Sequence, residues 1–332
     1  MSTPITSYPC SRRSATTTLP VFPVAPVTAT VLMSCSPSCV PYVCQRSSVN
    51  AHIHRTRPPP RQRTRRRHTR LPGWCLNGRM GHHALFGDGR RLSGHCLRRT
   101  FTVHRPRGPV PGTVWTPIDR RGPVPLVLLG HGGSGHRHGD RILSMADRIT
   151  SAGYAAAAID GLYHGERVPS PLPTADYQAL IAAEGIGRAM DRLAGDWALT
   201  RDLLVDAGLA DPASIAYFGL SMATRFGLAT AVALGPGLRC AVFGKFGTQA
   251  TADTHPGLHD PDRALRDAAR ITAPVLFHMQ WNDEMFPRTG QLELFDAFPG
   301  HAKELVGFAG GHRSTPDHAV SAWIAFIGRH LA

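Results

Sequence analysis

Five short segments gather the residue types that do chemistry. They are "GHGGSGHRHGD" from Gly130, "DGLYHGER" from Asp160, "GLSMA" from Gly219, "QWNDEMFP" from Gln280 and "AGGHRS" from Ala309. Together they hold a hydroxyl, imidazoles, carboxylates and glycine-rich backbone, the parts that acyl transfer needs. A serine hydroxyl is a weak nucleophile until a base takes its proton, and the base needs a third group to orient it. In chain order the candidates are Ser221, Asp283 and His312.

Ser221 lies where strand-forming "SIAYF" passes directly into helix-forming "MATRFG". A turn that sharp strains one residue, and its neighbours two positions away must be small. Gly219 and Ala223 meet that requirement. The turn lifts the Ser221 hydroxyl clear of the sheet at a helix N-terminus, where N–H groups and the helix dipole favour a developing oxyanion. A lone G-x-S-x-A is equally a small residue packed at a turn; the preceding strand and the partners further along give it weight here.

Gly310 and Gly311 remove side-chain bulk beside His312, and Asp283 falls in the loop before it. Asp260, Asp262 and Glu284 compete for the role of the acid. The first two precede a helix and read as turn or cap residues, which leaves Glu284 as the lesser alternative. His278 falls inside an apolar strand and reads as core, and His301 as surface. In "HGGSG", Gly132 and Gly133 let N–H groups face a substrate carbonyl beside the N–H of Met222; a plain flexible turn is the bland reading. His131, His136, His138 and Asp140, and likewise His82 with His83, lack zinc-ligand spacing, so no metal and no cofactor are expected.

The elements that must position these loops are legible from about Phe101. "TFTVH" and "GTVWTPI" read as two strands able to pair antiparallel. Apolar "LVLL", "YAAAAI", "SIAYF", "CAVFG", "APVLFHMQ" and "KELVGF" read as strands, the first two continuous apolar runs suited to a sheet buried on both faces. Helical patterns lie between them and at the C-terminus. Alternation of strand and helix calls for a mostly parallel α/β sheet with helices on both faces, and about 230 residues suffice for one such core. Ligands then gather at the carboxyl ends of the strands, where all five segments fall.

The 332-residue chain has a formal net charge of +14, and that charge is unevenly placed. Residues 1–100 carry 16 Arg, no Lys and one acid, Asp88, together with six of the seven Cys. They include "RTRPPPRQRTRRRHTR" and show no sustained period of 3.6 or 2, so residues 1–98 are expected to be a low-complexity, disordered extension. A nucleic-acid tail and an unselected extension both fit that composition; no nucleic acid is expected as a partner of the region from 99 to 332. Only two Lys accompany 35 Arg across the chain, a bias that suggests GC-rich coding sequence and makes Met80 a candidate start. An export signal with Cys35 at its end is the minor alternative, because Pro20, Pro23 and Pro26 interrupt its apolar core. No stretch reaches the roughly 20 apolar residues of a membrane span. The region expected to fold holds only Cys240, which fits a reducing cytoplasm.

From about Phe101 to Ala332 the sequence resembles the α/β-hydrolase superfamily, and within it the dienelactone-hydrolase-like and peptidase-like serine esterases. "LLGHGGSG", "GLSMA", "DEMFP" with an Asp four residues before a Pro, and "GGH" carry the resemblance. It implies an eight-stranded, mostly parallel sheet, with Ser221 as nucleophile, His312 as base and Asp283 as orienting acid. It also implies that the "DGLYHGER" loop borders the substrate, which makes Tyr163, His164 and Arg167 candidate contacts. Two departures limit it. Ala223 stands where Gly is usual, and the nucleophile is Ser where dienelactone hydrolases proper have Cys. Between residues 167 and 208 the sequence allows either a small cap or one long crossover helix with a broken start.

The expectation is a metal-independent serine hydrolase cleaving a small carboxylic ester through an acyl-enzyme. The alternatives are the same residues acting on a peptide, thioester or carbon–carbon bond, and a non-catalytic binding protein of this fold.

Overall fold

A computed structural model describes residues 85–251, 254–300 and 302–331. The Arg-rich run, Cys35, His82, His83, Met80 and His301 lie outside the described residues. The sheet has ten strands: β1 Leu85–Phe86, β2 Arg90–Ser93, β3 Cys96–Val103, β4 Val110–Pro117, β5 Val124–Leu129, β6 Ala155–Ile159, β7 Ala210–Phe218, β8 Leu238–Gly244, β9 Val275–Gln280 and β10 Lys303–Phe308. Their order is β1-β3-β4-β6-β5-β7-β8-β9-β10, with β2 pairing β3 beside β1. From β6 to β10 every pairing is parallel, while β4 pairs antiparallel with both β3 and β6. The stretch from β3 to β10 supplies the eight strands expected.

The sheet starts earlier than the sequence pattern suggested. Residues 85–98, read as part of the extension, form β1, β2 and the start of β3. Alternation is hard to see there because the arginines stand in adjacent pairs, Arg90 with Arg91 and Arg98 with Arg99, one on each face of the strand. On β3 only Cys96, Phe101 and Val103 are buried, while Arg98 and Arg99 stay partly exposed. Pairing with all eight residues of β4 holds the strand in place of a strong hydrophobic signal.

Period-2 alternation splits the central strands between two cores. Leu126, Leu128, Ile215, Tyr217, Ala241, Phe243 and Phe277 face one side. Val127, Leu129, Ala216, Phe218, Val242 and Leu276 face the other. Helices α1 Asp140–Ser151 and α7 Asp317–Leu331 cover this second face with Ile142, Met145, Trp323 and Phe326. The first face is covered by α3 Ile186–Asp206, α4 Met222–Leu234, α5 Pro261–Ala268 and α6 Arg288–Ala297. Burying each large side chain contributes about 1.5–3 kcal/mol, so both faces together set the plane from which the loops project. β6 is four alanines and Ile159, and Trp115 of β4 stands opposite Ala156; the small side chain leaves room for the indole.

The segment between 167 and 208 resolves into two helices. α2 Thr174–Glu184 stops at Gly185, whose φ of +89° no side chain adopts easily, and α3 begins at once. α3 is the crossover that packs on α4; α2 packs against α3 and the turn Pro256–Leu258, with Tyr177 and Ile181 buried in the same core.

Candidate active site

Ser221 joins β7 to α4 with φ +61° and ψ −122°. The strain is held by neighbours on every side. The Ser221 N–H donates to Gly244 O at 2.9 Å, and Thr224 Oγ1 donates to Gly219 O and Gly244 O at 2.8 and 2.7 Å. A Cβ at Gly219 would stand 2.7 Å from Ala223 O and 2.8 Å from Tyr217 Cε1, which is why only glycine fits. We expect Gly219→Ala to lower stability by about 1–3 kcal/mol, read as a lower denaturant midpoint at unchanged m-value.

Two sequence-distant loops bring their side chains to this turn. Ser221 Oγ and His312 Nε2 are 2.8 Å apart, and His312 Nδ1 lies 2.9 and 3.1 Å from Asp283 Oδ2 and Oδ1. A carboxylate only accepts, so Nδ1 carries the proton and Nε2 is left to accept from the serine hydroxyl. The Asp283 side chain is fully buried, and its Oδ1 also accepts from the N–H groups of Met285 and Phe286 at 2.9 Å each. Phe286 packs 5.7 Å from the imidazole, ring centre to ring centre.

Glu284, the lesser acid candidate, reaches the backbone of His312 instead of its ring: Oε2 accepts from the His312 N–H at 2.7 Å. That bond holds the exposed carboxyl below its ordinary range. Asp260 caps α5 through the N–H of Arg263, and Asp262 lies in the first turn of that helix. His278 is buried, bonds Gln280 and is pushed down to about 3 by burial.

The "HGGSG" loop is anchored from below by two histidines. The Gly161 N–H donates to His131 Nε2 at 2.8 Å, so the proton sits on Nδ1, which donates to Gly132 O at 2.9 Å. Burial lowers His131 to about 4 and keeps it neutral. His164 Nε2 meets Gly133 O at 2.9 Å. In a trans peptide the N–H opposes the C=O, so tying Gly132 O back turns the Gly133 N–H the other way. Met222 opens α4, where the first N–H groups have no partner within the helix. A Cβ at Gly133 would meet Tyr177 Oη at 2.4 Å.

Gly132, Gly133, Ser221, Met222 and His312 share one cleft of about 570 Å³, bounded further by Thr174, Tyr177 and Gln178 of α2 and by Phe286. α2 is therefore a wall of the cleft. Tyr163, His164 and Arg167 do not line it. Tyr163 donates to Glu184, His164 is buried beneath Gly133, and Arg167 bonds Asp196. The expectation that they touch substrate is corrected on that ground: each is spent on a partner that fixes the loop after β6. His138 pairs with Thr113 Oγ1, and among the described residues no three His, Cys, Asp or Glu side chains cluster as metal ligands.

Three features had no place in the sequence reading. Asp160 accepts from the Arg137 and Glu166 N–H groups at 2.9 Å and pairs with the Arg137 guanidinium, so it staples the loop after β5 to the loop after β6. Arg225, on α4, reaches the cleft 93 % buried, lies over the Phe246 ring at 5.1 Å, and its Nε has no hydrogen-bond partner. Lys245, directly after β8, lies under the turn that carries His312. Asp160 and Lys245 each follow directly on a strand end, after β6 and β8, whereas Arg225 lies within α4 and carries no such signal.

A mostly parallel sheet, helices on both faces and a serine on a strained strand-to-helix turn define the α/β-hydrolase fold. The model of the dienelactone hydrolase family matches residues 110–305, and the chain belongs to that family. It is a hydrolase acting on ester bonds. Among solved structures, a cold-adapted esterase from an Arctic intertidal metagenomic library is 26 % identical, with TM-score 0.63 over 74 % of this chain and 98 % of its own. An acetyl xylan esterase from Paenibacillus sp. R4 (20 %, TM-score 0.61, 75 % and 89 %) and a glucuronoyl esterase from Solibacter usitatus (12 %, TM-score 0.55, 75 % and 86 %) share the fold. No curated protein matches the sequence. Among the described residues no helix is long and apolar enough to cross a membrane.

Proposed function

We propose that the protein is a serine hydrolase that cleaves a small carboxylic ester through an acyl-enzyme, with Ser221, His312 and Asp283 as its catalytic residues. The hydrogen-bonded chain from Ser221 through His312 to buried Asp283 carries this reading. His312 Nε2 takes the Ser221 proton as Oγ attacks the carbonyl carbon, while Asp283 stabilises the imidazolium through Nδ1–H. The oxyanion rests on the N–H groups of Met222 and of Gly133 or Gly132. His312 then gives its proton to the leaving alkoxide, and water repeats the sequence to release the acid. The free, buried thiols of Cys96 and Cys240 support the cytoplasmic location read from cysteine usage.

Rates on a matched ester, thioester and peptide sharing one acyl group test the bond preference. The ester should be turned over fastest, and a preference for either of the others would move the assignment to that bond.

The cleft also favours a charge on the substrate. Its lining includes Arg141, Arg225, Lys245 and Arg313 against the single acid Glu284, and Arg225 has no carboxylate partner among the described ion pairs. A substrate carboxylate would supply one. Arg225→Leu should therefore cut kcat/KM on a carboxylate-bearing ester about 10- to 100-fold, the worth of one charge-assisted hydrogen bond. The neutral ester of equal length should change far less, and equal losses on both would refute the preference.

A further inference from the structure

Lys245 is one of two lysines in the chain and is 99 % buried. It follows Gly244, where β8 ends, and its φ of +49° belongs to a region that side chains other than Gly, Asn and Asp rarely occupy. The chain turns there because Gly244 has φ +152° and the Lys245 N–H donates to His278 O at 3.0 Å. A Cβ at Gly244 would stand 2.1 Å from that same carbonyl oxygen. Such a costly backbone persists only where its surroundings over-determine it, and it clusters at functional sites.

The turn aims the side chain at one target. Lys245 Nζ donates to His312 O at 3.0 Å, to Thr315 Oγ1 at 2.9 Å and to Ser314 O. An ammonium has three donors, and all three are used on residues 312 to 315. The anchor at the other end is the serine turn, since Gly244 O accepts from the Ser221 N–H and Gly244 N–H donates to Thr224 Oγ1. One two-residue segment thus touches both the backbone of the nucleophile and the backbone of the base. Gly310 and Gly311 give the His312 turn little stiffness of its own, so its position must come from outside.

We propose that Lys245 is a positioning residue: its ammonium ties the His312 turn to the end of β8 and thereby fixes the distance between the imidazole and Ser221. The inference deepens the serine hydrolase reading and rests on it.

The charge environment makes the tie sensitive to pH. Burial, with Arg141 of α1 next in size, lowers Lys245 to about 8, opposed by Asp283 and Glu284 from the loop after β9. His278 of β9 also faces the ammonium, and His312 and Arg313 lie on the turn it holds. Below pH 8 the ammonium supplies three donors. As pH rises through about 8 it loses one, and the neutral amine leaves an acceptor unmet.

The test uses the full chain, with Lys245→Met and Lys245→Arg compared against wild type and Ser221→Ala. Lys245→Met should lower kcat about 100-fold, the effect of a displacement near 1 Å at a reacting centre, with KM within a few fold. The wild-type proton NMR spectrum should show a far-downfield Nδ1–H resonance of His312, from its bond to Asp283, and Lys245→Met should lose it. Wild-type kcat/KM should decline as pH passes about 8; Lys245→Arg, charged throughout, should recover much of kcat and keep it to higher pH. Wild-type kcat together with an intact His312 resonance in Lys245→Met would overturn the proposal. If Lys245→Met does not fold, the comparison with Lys245→Arg decides, and an identical alkaline limb would overturn it. Equal activity in Ser221→Ala and wild type would instead strike the hydrolase reading, while the His312 resonance would still report the tie.

Discussion

Treating the purified protein with a fluorophosphonate should add one adduct, on the peptide that contains Ser221, and Ser221→Ala should carry none. The expectation follows from geometry more than from the residue type. Ser221 Oγ lies 2.8 Å from an imidazole nitrogen that Asp283 keeps free to accept, so the hydroxyl can lose its proton as it attacks phosphorus. Ser221→Ala removes the attacking atom and leaves the base nothing to activate; kcat on a small ester should fall about 10⁶-fold, toward what binding and the oxyanion site alone supply. Alanine accepts the turn no worse than serine, because the bonds that hold it come from the Ser221 N–H and from Thr224. Thermal stability should therefore change little. A folded wild type that takes no adduct would move the reading to a non-catalytic binding protein, whose partner binding through the Arg-rich segment should weaken steeply with salt. The same spectrum reports whether the native chain begins near residue 1 or at Met80.

Ser221 was legible because its signature is local. A strand, one strained residue and a helix occupy nine adjacent positions from Ala216 to Thr224, and the small residues around them follow from contact with Tyr217 and with one another. The parallel strands were legible for a similar reason, since a sheet buried on both faces writes apolar runs that hide nothing. β1 to β3 were not, because β1 is only two residues long, adjacent arginines break the alternation of β2 and β3, and strand pairing, β1 and β2 on β3 and β3 on β4, does the stabilising. The loop after β6 misled for a physical reason. Its side chains are aimed by Glu184 and Asp196, which lie 21 and 29 residues further on, and no spacing rule tells which way a loop residue turns. His164 holds up Gly133 where the sequence suggested a substrate contact. Lys245 and Arg225 carry the same lesson in reverse. Each sits at a strand or helix position that reads as ordinary, and only the fold brings the first beneath His312 and the second into the cleft.

Asp283→Asn should reduce kcat about 10⁴-fold, the magnitude found when an amide replaces the orienting carboxylate of a Ser-His-Asp site, while leaving the protein folded. Asp283 does two jobs with its two oxygens. Oδ1 accepts the N–H groups of Met285 and Phe286, and Oδ2 takes the Nδ1–H of His312 at 2.9 Å. Asparagine keeps the first job by placing its amide oxygen at the Oδ1 position, and the loop after β9 stays closed. Its NH₂ group then faces Nδ1, where a donor meets a donor. The imidazole answers by moving its proton to Nε2, the nitrogen that has to accept from Ser221, and the base is disabled without a change of shape. Glu284→Gln is the control that separates the two acids. Its carboxyl accepts from the His312 backbone N–H, at 2.7 Å, and touches no ring nitrogen, and an amide oxygen accepts that bond as well. Its loss should stay below about 10-fold, that of one exposed hydrogen bond. Steady-state kcat on one ester, with the circular dichroism melt of each variant, measures the difference. A loss in Glu284→Gln equal to or greater than that in Asp283→Asn would transfer the orienting role to Glu284 and require the His312 ring to turn toward it on binding substrate.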